Sequence, residues 1–303
     1  MNTLSENSHL AAIDIGSNAA RLLIKKVNQE ADGSIRLSKA LFLRIPLRLG
    51  VDVFGQGKIT KEREERFLRM IKAFHQLMKI YEVETYRACA TSALRDAKNG
   101  KRIIKKINRK TGIDIEIISG QEEAAIIYDN HIEAYTGPGN YLYVDVGGGS
   151  TEISFISQKE LISSVSYNVG TLRMLSGTVG AEVLEQMARD LTNLTQGYQD
   201  IVLIGSGGNI NKLYRLASKH DKKKERLPVT TVEKLHNQLS KLTVEQRMET
   251  YGLKPDRADV IVPAAEIFLH IARSVQADTI LVPTFGLADG IIHDLAQENL
   301  PFS

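Results

Sequence analysis

Two short stretches of the sequence could bind phosphate, because each follows an apolar run and an aspartate with a small polar turn. The first turn comes after Asp14 in AAIDIGSNAARLLI, and the second comes after Asp145 in LYVDVGGGSTEISFI. N–H groups in such turns form concavities that suit phosphate oxygens, and glycine lets a ligand approach the backbone closely. A hairpin with a glycine bulge is the alternative interpretation. The residues that could contact phosphate are Asp14, Gly16, Ser17 and Asn18 at the first turn, and Gly147, Gly148, Gly149 and Ser150 at the second.

Carboxylates flank the second turn. Asp145 lies just before it and Glu152 just after it. Oxygen ligands of this kind are the ones that Mg²⁺ takes in proteins, so both residues are predicted metal ligands. Asp14 is the candidate third ligand, directly or through water, and Mn²⁺ is the alternative ion. Turn capping by the aspartates and a surface strand position for Glu152 are the structural alternatives.

The surrounding pattern predicts how these turns are positioned. Both stretches run apolar strand, aspartate, one apolar residue, glycine, turn and returning strand, and the two aspartates are 131 positions apart (145 − 14). Such self-similarity indicates a duplicated unit. Elsewhere strands alternate with helical patterns, such as the amphipathic helix that begins near Thr60, so the fold class is α/β. Ligands in α/β sheets gather at strand ends, where both turns lie.

Composition limits the function classes. The length of 303 residues suits two domains, and the formal net charge of +3 is too small to indicate nucleic-acid binding. The single cysteine, Cys89, excludes an intramolecular disulfide and a cysteine metal cluster. The start MNTLSENSHL lacks the layout of a signal peptide, and no apolar run reaches the length of a membrane span. We therefore expect a cytoplasmic protein without a membrane or nucleic-acid partner.

Taken together, six stretches resemble the exopolyphosphatase/guanosine pentaphosphate phosphohydrolase family, a branch of the actin, sugar-kinase and heat-shock-ATPase superfold. They occur in family order and cover nearly the whole chain: AAIDIGSNAARLLI, ATSALRDA, IEIISGQEEA, LYVDVGGGSTEISF, LIGSGGNI and FGLADGII. The resemblance implies the short form of the family, with two ribonuclease-H-like (actin-like ATPase) domains and an active-site cleft between them. The first domain would comprise residues 1–122, with the last helix (about 290–303) packing back on it, and the second would comprise residues 123–289. A homodimer is also what the family suggests.

The resemblance also implies an activity, the metal-dependent hydrolysis of a terminal phosphoanhydride. Two substrates fit the family, inorganic polyphosphate first and guanosine pentaphosphate second. An actin-like or sugar-kinase-like ATP-binding protein is the alternative from another class. A polyphosphate-binding module with weak activity is a third possibility.

Catalytic roles follow from the same comparison. Glu122 and Glu123 both begin a helix near the domain junction, where acidic residues also suit the helix dipole. The resemblance assigns the general base to Glu123, with Glu122 as the fallback. Arg95 offers a planar fork for phosphate oxygens, with an exposed helix arginine as its alternative. Gly207 and Gly208 border the substrate channel by the resemblance, or only begin a helix.

Two basic runs could bind the distal part of a polyanion. They are Lys98–Lys110, which we prefer because it lies in the domain of Arg95, and Lys222–Arg226. More often such runs are solvated faces. Neutralising Lys105 and Lys106 would test contact through the salt dependence of binding.

Overall fold

The computed structural model describes residues 8–30, 35–126, 137–217, 226–283 and 286–299. The chain divides into two compact units, Met1–His131 with Gly286–Ser303, and Ile132–Phe285. The domain boundaries after residues 122 and 289 remain predictions. The basic run 222–226 lies outside the described residues except for its last member, Arg226.

The first unit begins with a hairpin and a third strand. Its elements are β1 (His9–Ile15), β2 (Ala20–Gln29), β3 (Ile35–Ile45), α1 (Leu49–Gln56), α2 (Lys61–Ile80), β4 (Val83–Ala90), α3 (Ser92–Asp96), α4 (Gly100–Thr111), β5 (Glu116–Ile117) and α5, described over 120–126. The second unit repeats the opening hairpin. Its elements are β6 (Asn140–Val146), β7 (Thr151–Ser157), β8 (Glu160–Tyr167), α6 (Thr171–Leu175), α7 (Ala181–Leu194), β9 (Ile201–Ser206), α8 (Gly208–Leu216), β10 (Arg226–Pro228), α9 (Val229–Leu239), α10 (Val244–Tyr251), α11 (Pro255–Ala258), α12 (Ile261–Ser274) and β11 (Thr279–Leu281). The last helix, α13 (Leu287–Asn299), packs on β1, β2 and β4 of the first unit.

The two sheets share one topology. The first has the order β3-β2-β1-β4-β5, with β1, β2 and β3 antiparallel and with β4 and β5 parallel to β1. The second, read from β8, has the order β8-β7-β6-β9-β11-β10, with an antiparallel trio followed by parallel β9 and β11. Strand β10 is an addition at the edge. The predicted α/β class with two ribonuclease-H-like sheets is confirmed, and so is the repeat.

Each sheet is covered by apolar faces of helices. The central strand β1 is buried along almost its whole length, as expected for a strand with helices on both faces. The predicted amphipathic helix is α2, whose N-cap Thr60 accepts a hydrogen bond from the Arg63 N–H. It buries one apolar stripe, consisting of Phe67, Met70, Ile71, Phe74 and Met78. None of the described helices combines the length and apolarity needed to cross a bilayer.

The sequence IDIEII over residues 113–118 predicts a strand, but in the structure only Glu116 and Ile117 pair with β4. Side chains take the preceding N–H groups instead. The Ile113 N–H donates to the Thr111 hydroxyl over 3.2 Å, and the Asp114 N–H donates to the Tyr86 hydroxyl over 3.2 Å. The extended pattern was right, but the N–H groups of Ile113 and Asp114 do not join the sheet, whereas the Ile118 N–H donates to the Ala90 carbonyl of β4 over 3.1 Å.

A buried carboxylate joins α2 to the basic helix α4. Glu64 is 4% exposed and accepts hydrogen bonds from Arg102 (2.7 Å) and from Lys106. Burial raises the pKa of Glu64, but the hydrogen bonds and charges of Lys106 and Arg102 outweigh it and hold that pKa below its usual value. Part of the basic run is therefore structural, and Lys106 is unsuitable for a test of polyanion contact.

Glu64→Gln is expected to lower the free energy of unfolding by about 1–3 kcal/mol at pH 7, because two cationic donors lose their charged acceptor. Since the folded pKa lies below the unfolded one, the stabilisation is present above the unfolded value and disappears as the pH falls through the folded value. The gap between variant and wild type should therefore narrow below about pH 4.3. Urea titrations at several pH values measure it, with the exposed neighbour Glu65→Gln as control. A gap that stays constant with pH would contradict the lowered pKa.

Candidate active site

The first turn connects β1 to β2 and is closed by a hydrogen bond from the Gly16 N–H to the Ala19 carbonyl (3.1 Å). The carbonyls of Ser17 and Asn18 accept from the N–H groups of Gly50 and Arg48, both over 2.9 Å, at the start of α1. In a planar trans peptide the N–H points opposite to the carbonyl. The N–H groups of Asn18 and Ala19 therefore face away from α1.

The second turn repeats this arrangement between β6 and β7, and the Gly147 N–H donates to the Ser150 carbonyl over 2.9 Å. The Gly147 carbonyl accepts from Thr171, and the Gly148 carbonyl accepts from Leu172 (2.8 Å), both at the start of α6. The Gly149 carbonyl accepts from the Arg173 side chain over 2.7 Å. Because all of these carbonyls are held on one side, the N–H groups of Gly148, Gly149 and Ser150 face the other. Within the described residues these three N–H groups form no hydrogen bond.

The second turn also depends on a close backbone approach. A Cβ placed on Gly170 would lie 2.5 Å from the Gly149 nitrogen and 2.6 Å from the Gly148 carbonyl carbon. No side chain fits this space. Nothing in the local sequence indicates this role of Gly170, because the turn that it contacts lies more than twenty residues away in the chain.

Gly170→Ala is expected to destabilise the protein by about 1–3 kcal/mol or more, because the added methyl group must displace main-chain atoms of the turn. Gly55→Ala is the matched control, since a Cβ at Gly55 in α1 meets nothing within 4 Å. That control should be neutral or stabilising by up to about 1 kcal/mol. Thermal unfolding of both variants measures the difference, and equal stability would show that the turn tolerates the methyl group.

The aspartates before the two turns have opposite partners at the same register position. Asp14 faces Arg21 across β1 and β2, is 2% exposed, and forms an ion pair with the Arg21 guanidinium. Asp145 faces Glu152 across β6 and β7, where Glu152 is also 2% exposed. Residues opposite each other in an antiparallel pair project on the same face. The second hairpin therefore brings together two carboxylates, whereas the first contains an internal cation.

The Glu152 carboxylate has a fixed orientation. It accepts a hydrogen bond from the Ser166 hydroxyl on β8 over 2.9 Å, and Ser166 is its register partner. Within the described residues, no three or more histidine, cysteine, aspartate and glutamate side chains form a metal-binding group. Mg²⁺ commonly binds through one or two carboxylates and completes its shell with water and substrate phosphates. The Asp145–Glu152 pair fits that mode.

The two glutamates that begin α5 have different environments. Ser119 caps the helix by accepting from the Glu122 N–H over 3.0 Å. The Glu122 carboxylate is exposed and bonded to Arg87 (2.8 Å), whereas Glu123 is 8% exposed. Arg95 of α3 donates to the carbonyl of Ile118, just before the helix, over 2.9 Å. The structure thus joins Arg95 to the segment that carries Glu123.

In the first turn the Ser17 side chain is not directed to solvent. Its hydroxyl lies 2.8 Å from the Ser92 hydroxyl at the start of α3, and both residues are buried. The Thr91 N–H donates to the Ile15 carbonyl over 3.1 Å. These contacts hold the start of α3 against the turn, so the contribution of Ser17 comes through its backbone.

A third glycine loop follows β9. Gly207 has φ 93°, a conformation that favours glycine, and a Cβ there would lie 2.8 Å from an Asp145 carboxylate oxygen. The Arg257 guanidinium lies over Gly208, where it occupies the space of a side chain, and donates to Asn209 over 2.6 Å. The structure brings this loop to Asp145. Sequence reasoning missed both Arg257 and Arg21. For Arg21 a signal exists, because the pairing of β1 with β2 places it opposite Asp14. No local signal points to Arg257.

The sequence matches the family model described as "Ppx/GppA phosphatase family" over residues 27–299. The chain belongs to the Ppx/GppA phosphatase family. A solved Ppx/GppA family member from Aquifex aeolicus is 26% identical, with a TM-score of 0.74 and coverage of 97% of this chain and 99% of that one. An exopolyphosphatase from Cytophaga hutchinsonii is 24% identical, with a TM-score of 0.82 and coverage of 96% and 98%, and it shows a shared fold.

A curated relative from Vibrio atlanticus (strain LGP32) is named guanosine-5'-triphosphate,3'-diphosphate pyrophosphatase. It is 28% identical over an alignment of 305 positions, which covers 95% of this chain and 59% of the relative. The chain thus spans about three fifths of the length of this Ppx/GppA relative. The resemblance inferred from the six motifs is confirmed at the level of family.

Proposed function

We propose that the protein hydrolyses the terminal phosphoanhydride bond of inorganic polyphosphate and releases orthophosphate, in a metal-dependent reaction. The observation that carries this proposal is the set of N–H groups at Gly148, Gly149 and Ser150, which share one side of a turn whose carbonyls are hydrogen-bonded on the other. Fixed donors arranged in this way suit the oxygens of a terminal phosphate. They are in place before any substrate binds.

Phosphoryl transfer requires stabilisation of the negative charge on the transferred group and a positioned nucleophile. The N–H groups of the second turn would bind the terminal phosphate, and we propose phosphate binding for the Gly16–Asn18 turn of the first unit as well. Arg95 uses one nitrogen for the Ile118 carbonyl and has further N–H groups for a phosphate oxygen. Each contact strengthens as charge accumulates on the phosphoryl oxygens.

Asp145 and Glu152 would hold the metal ion, which when bound neutralises charge on the phosphate oxygens. Their opposed positions on one face of β6 and β7 support this role. Ser166 keeps the Glu152 carboxylate oriented. Asp14 already forms an ion pair with Arg21, and this pair competes with direct ligation of a metal ion. We therefore propose that Asp14 is not a direct metal ligand.

Glu123 would accept the proton of the attacking water. Its neighbour Glu122 is exposed and its carboxylate is already bonded to Arg87 over 2.8 Å. Glu123 is the more buried of the two, so bulk water is largely excluded from its carboxylate. These environments support Glu123 as the base.

Guanosine pentaphosphate is the second candidate substrate. The observation that favours it is the name of the Vibrio atlanticus relative, although this chain aligns with only 59% of that protein. Both substrates end in a phosphoanhydride, so the same turns and carboxylates would serve either.

Phosphate release from polyphosphates of several lengths, guanosine pentaphosphate and ATP, each with and without Mg²⁺, tests the proposal. We expect metal-dependent release from polyphosphate at the highest kcat/KM. Preference for guanosine pentaphosphate would select the second candidate. Preference for ATP, with transfer to a sugar or protein acceptor, would overturn both.

A further inference from the structure

Helix α4 carries an unusual concentration of positive charge. Its twelve residues, Gly100–Thr111, include six lysine and arginine residues and no acidic residue. The apolar face, formed by Ile103, Ile104 and Ile107, is buried in the first unit. Most of the remaining surface is basic, with Asn108 as the neutral exception, and the six basic residues are Lys101, Arg102, Lys105, Lys106, Arg109 and Lys110.

These charges divide into two groups. Arg102 and Lys106 bond to the buried Glu64 and so stabilise the fold. Within the described residues, the other four form no ion pair. Lys101, Lys105 and Arg109 follow each other at intervals of four, which places them in one row along the helix. We call these three residues the α4 basic row.

In the absence of a ligand, the α4 basic row lowers the stability of its helix. Like charges four residues apart repel each other by a few tenths of a kcal/mol per pair. Lys101 also lies in the first turn of the helix, where the helix dipole disfavours a cation. A bound polyanion would relieve both effects.

The row begins near the phosphate turn of its own unit. Ser92 at the start of α3 contacts Ser17 of that turn, and α4 follows α3 after a short connection. The first residue of α4, Gly100, packs so closely on the Leu94 carbonyl of α3 that no Cβ fits. From Lys101 the row runs along α4 for two helical turns, about 12 Å at 1.5 Å per residue.

We propose that the α4 basic row binds the internal phosphates of a polyphosphate chain whose terminal phosphate occupies the active site. This inference rests on the proposed function and adds a chain-length preference to it. The repeating charges of the row match a polymer that carries a negative charge on every unit. Single-stranded RNA is disfavoured, because such sites use aromatic side chains to stack bases and α4 has none.

The test compares wild type with the double variant Lys101→Gln/Lys105→Gln. Lys234→Gln/Lys241→Gln, on exposed residues of the second unit, is the control that removes the same charge. For the test variant we expect the ratio of KM for long-chain polyphosphate to KM for tripolyphosphate to rise about tenfold. The slope of log K for long-chain binding against log salt concentration should fall in magnitude by roughly 1.5, as for contacts with single-stranded nucleic acid. The control should match wild type in both.

An unchanged ratio and slope in an enzyme that hydrolyses polyphosphate would overturn the inference and leave the proposed function intact. Single-stranded RNA that binds as tightly as polyphosphate, and is lost in the same variant, would reassign the row to RNA. If wild type releases no phosphate from any polyphosphate, the proposed function fails. Equilibrium binding of labelled polyphosphate then still tests the role of the α4 basic row. Binding weakened only in Lys101→Gln/Lys105→Gln supports the row as a polyphosphate site, and equal binding by wild type and both variants overturns that role.

Discussion

Glu123→Gln is expected to lower the rate of phosphate release by about 100- to 10,000-fold, while the protein folds and still binds polyphosphate. Glutamine keeps the shape of the side chain but cannot accept the proton of the attacking water. The buried position of Glu123 on α5, a helix that begins just after the Ile118 carbonyl bonded to Arg95, limits replacement of its role by solvent. Initial rates and an equilibrium binding measurement on the same preparation separate turnover from affinity.

The adjacent residue provides the matched control. Glu122→Gln removes an exposed ion pair with Arg87, which contributes at most about 1 kcal/mol to stability, and should leave turnover near wild type. Near-normal hydrolysis by Glu123→Gln would remove that residue from the role of base. A large loss in Glu122→Gln alone would transfer the role to Glu122.

Asp145→Asn and Glu152→Gln are each expected to weaken Mn²⁺ binding in the absence of substrate and to reduce phosphate release by more than about 100-fold, because charge on the phosphoryl oxygens is then poorly neutralised. Ser166→Ala removes one hydrogen bond to Glu152 and should weaken the metal affinity by about 10-fold. Electron paramagnetic resonance titration with Mn²⁺ measures binding independently of turnover.

Asp14→Asn distinguishes a two-carboxylate site from a three-carboxylate one. Since the Asp14 carboxylate is engaged by Arg21, its replacement should leave Mn²⁺ affinity unchanged. A loss equal to that of Asp145→Asn would make Asp14 a direct ligand. Wild-type Mn²⁺ affinity in both Asp145→Asn and Glu152→Gln would remove the metal from this hairpin altogether.

Local sequence was sufficient to predict the two turns and the repeat of their hairpins. The pattern of an apolar strand, aspartate, glycine and returning strand is set by neighbours a few residues apart, and the structure places both turns as expected. The role of the register was harder to see. Arg21 and Glu152 follow their aspartates by the same seven residues, yet only strand pairing shows that each faces its aspartate.

Long-range contacts could not be predicted in this way. Arg257 lies over Gly208 although 49 residues separate them (257 − 208), and nothing in either local sequence indicates the contact. The orientation of the turn carbonyls depends on the starts of α1 and α6, which are also distant in the chain. The division of the α4 charges likewise required the position of Glu64 on another helix.

Under the proposed function, the exchange of Arg21 for Glu152 between otherwise matching hairpins makes the two hairpins differ in their dependence on dissolved ions. In the first hairpin the Arg21 guanidinium pairs with the Asp14 carboxylate, so its balancing charge is part of the protein and needs no ion from solution. Under the proposed function, the second hairpin takes its balancing charge from a diffusible ion, and its occupancy follows the concentration of that ion. Only one half of a duplicated protein would then respond to magnesium supply, and a single strand position would set that sensitivity.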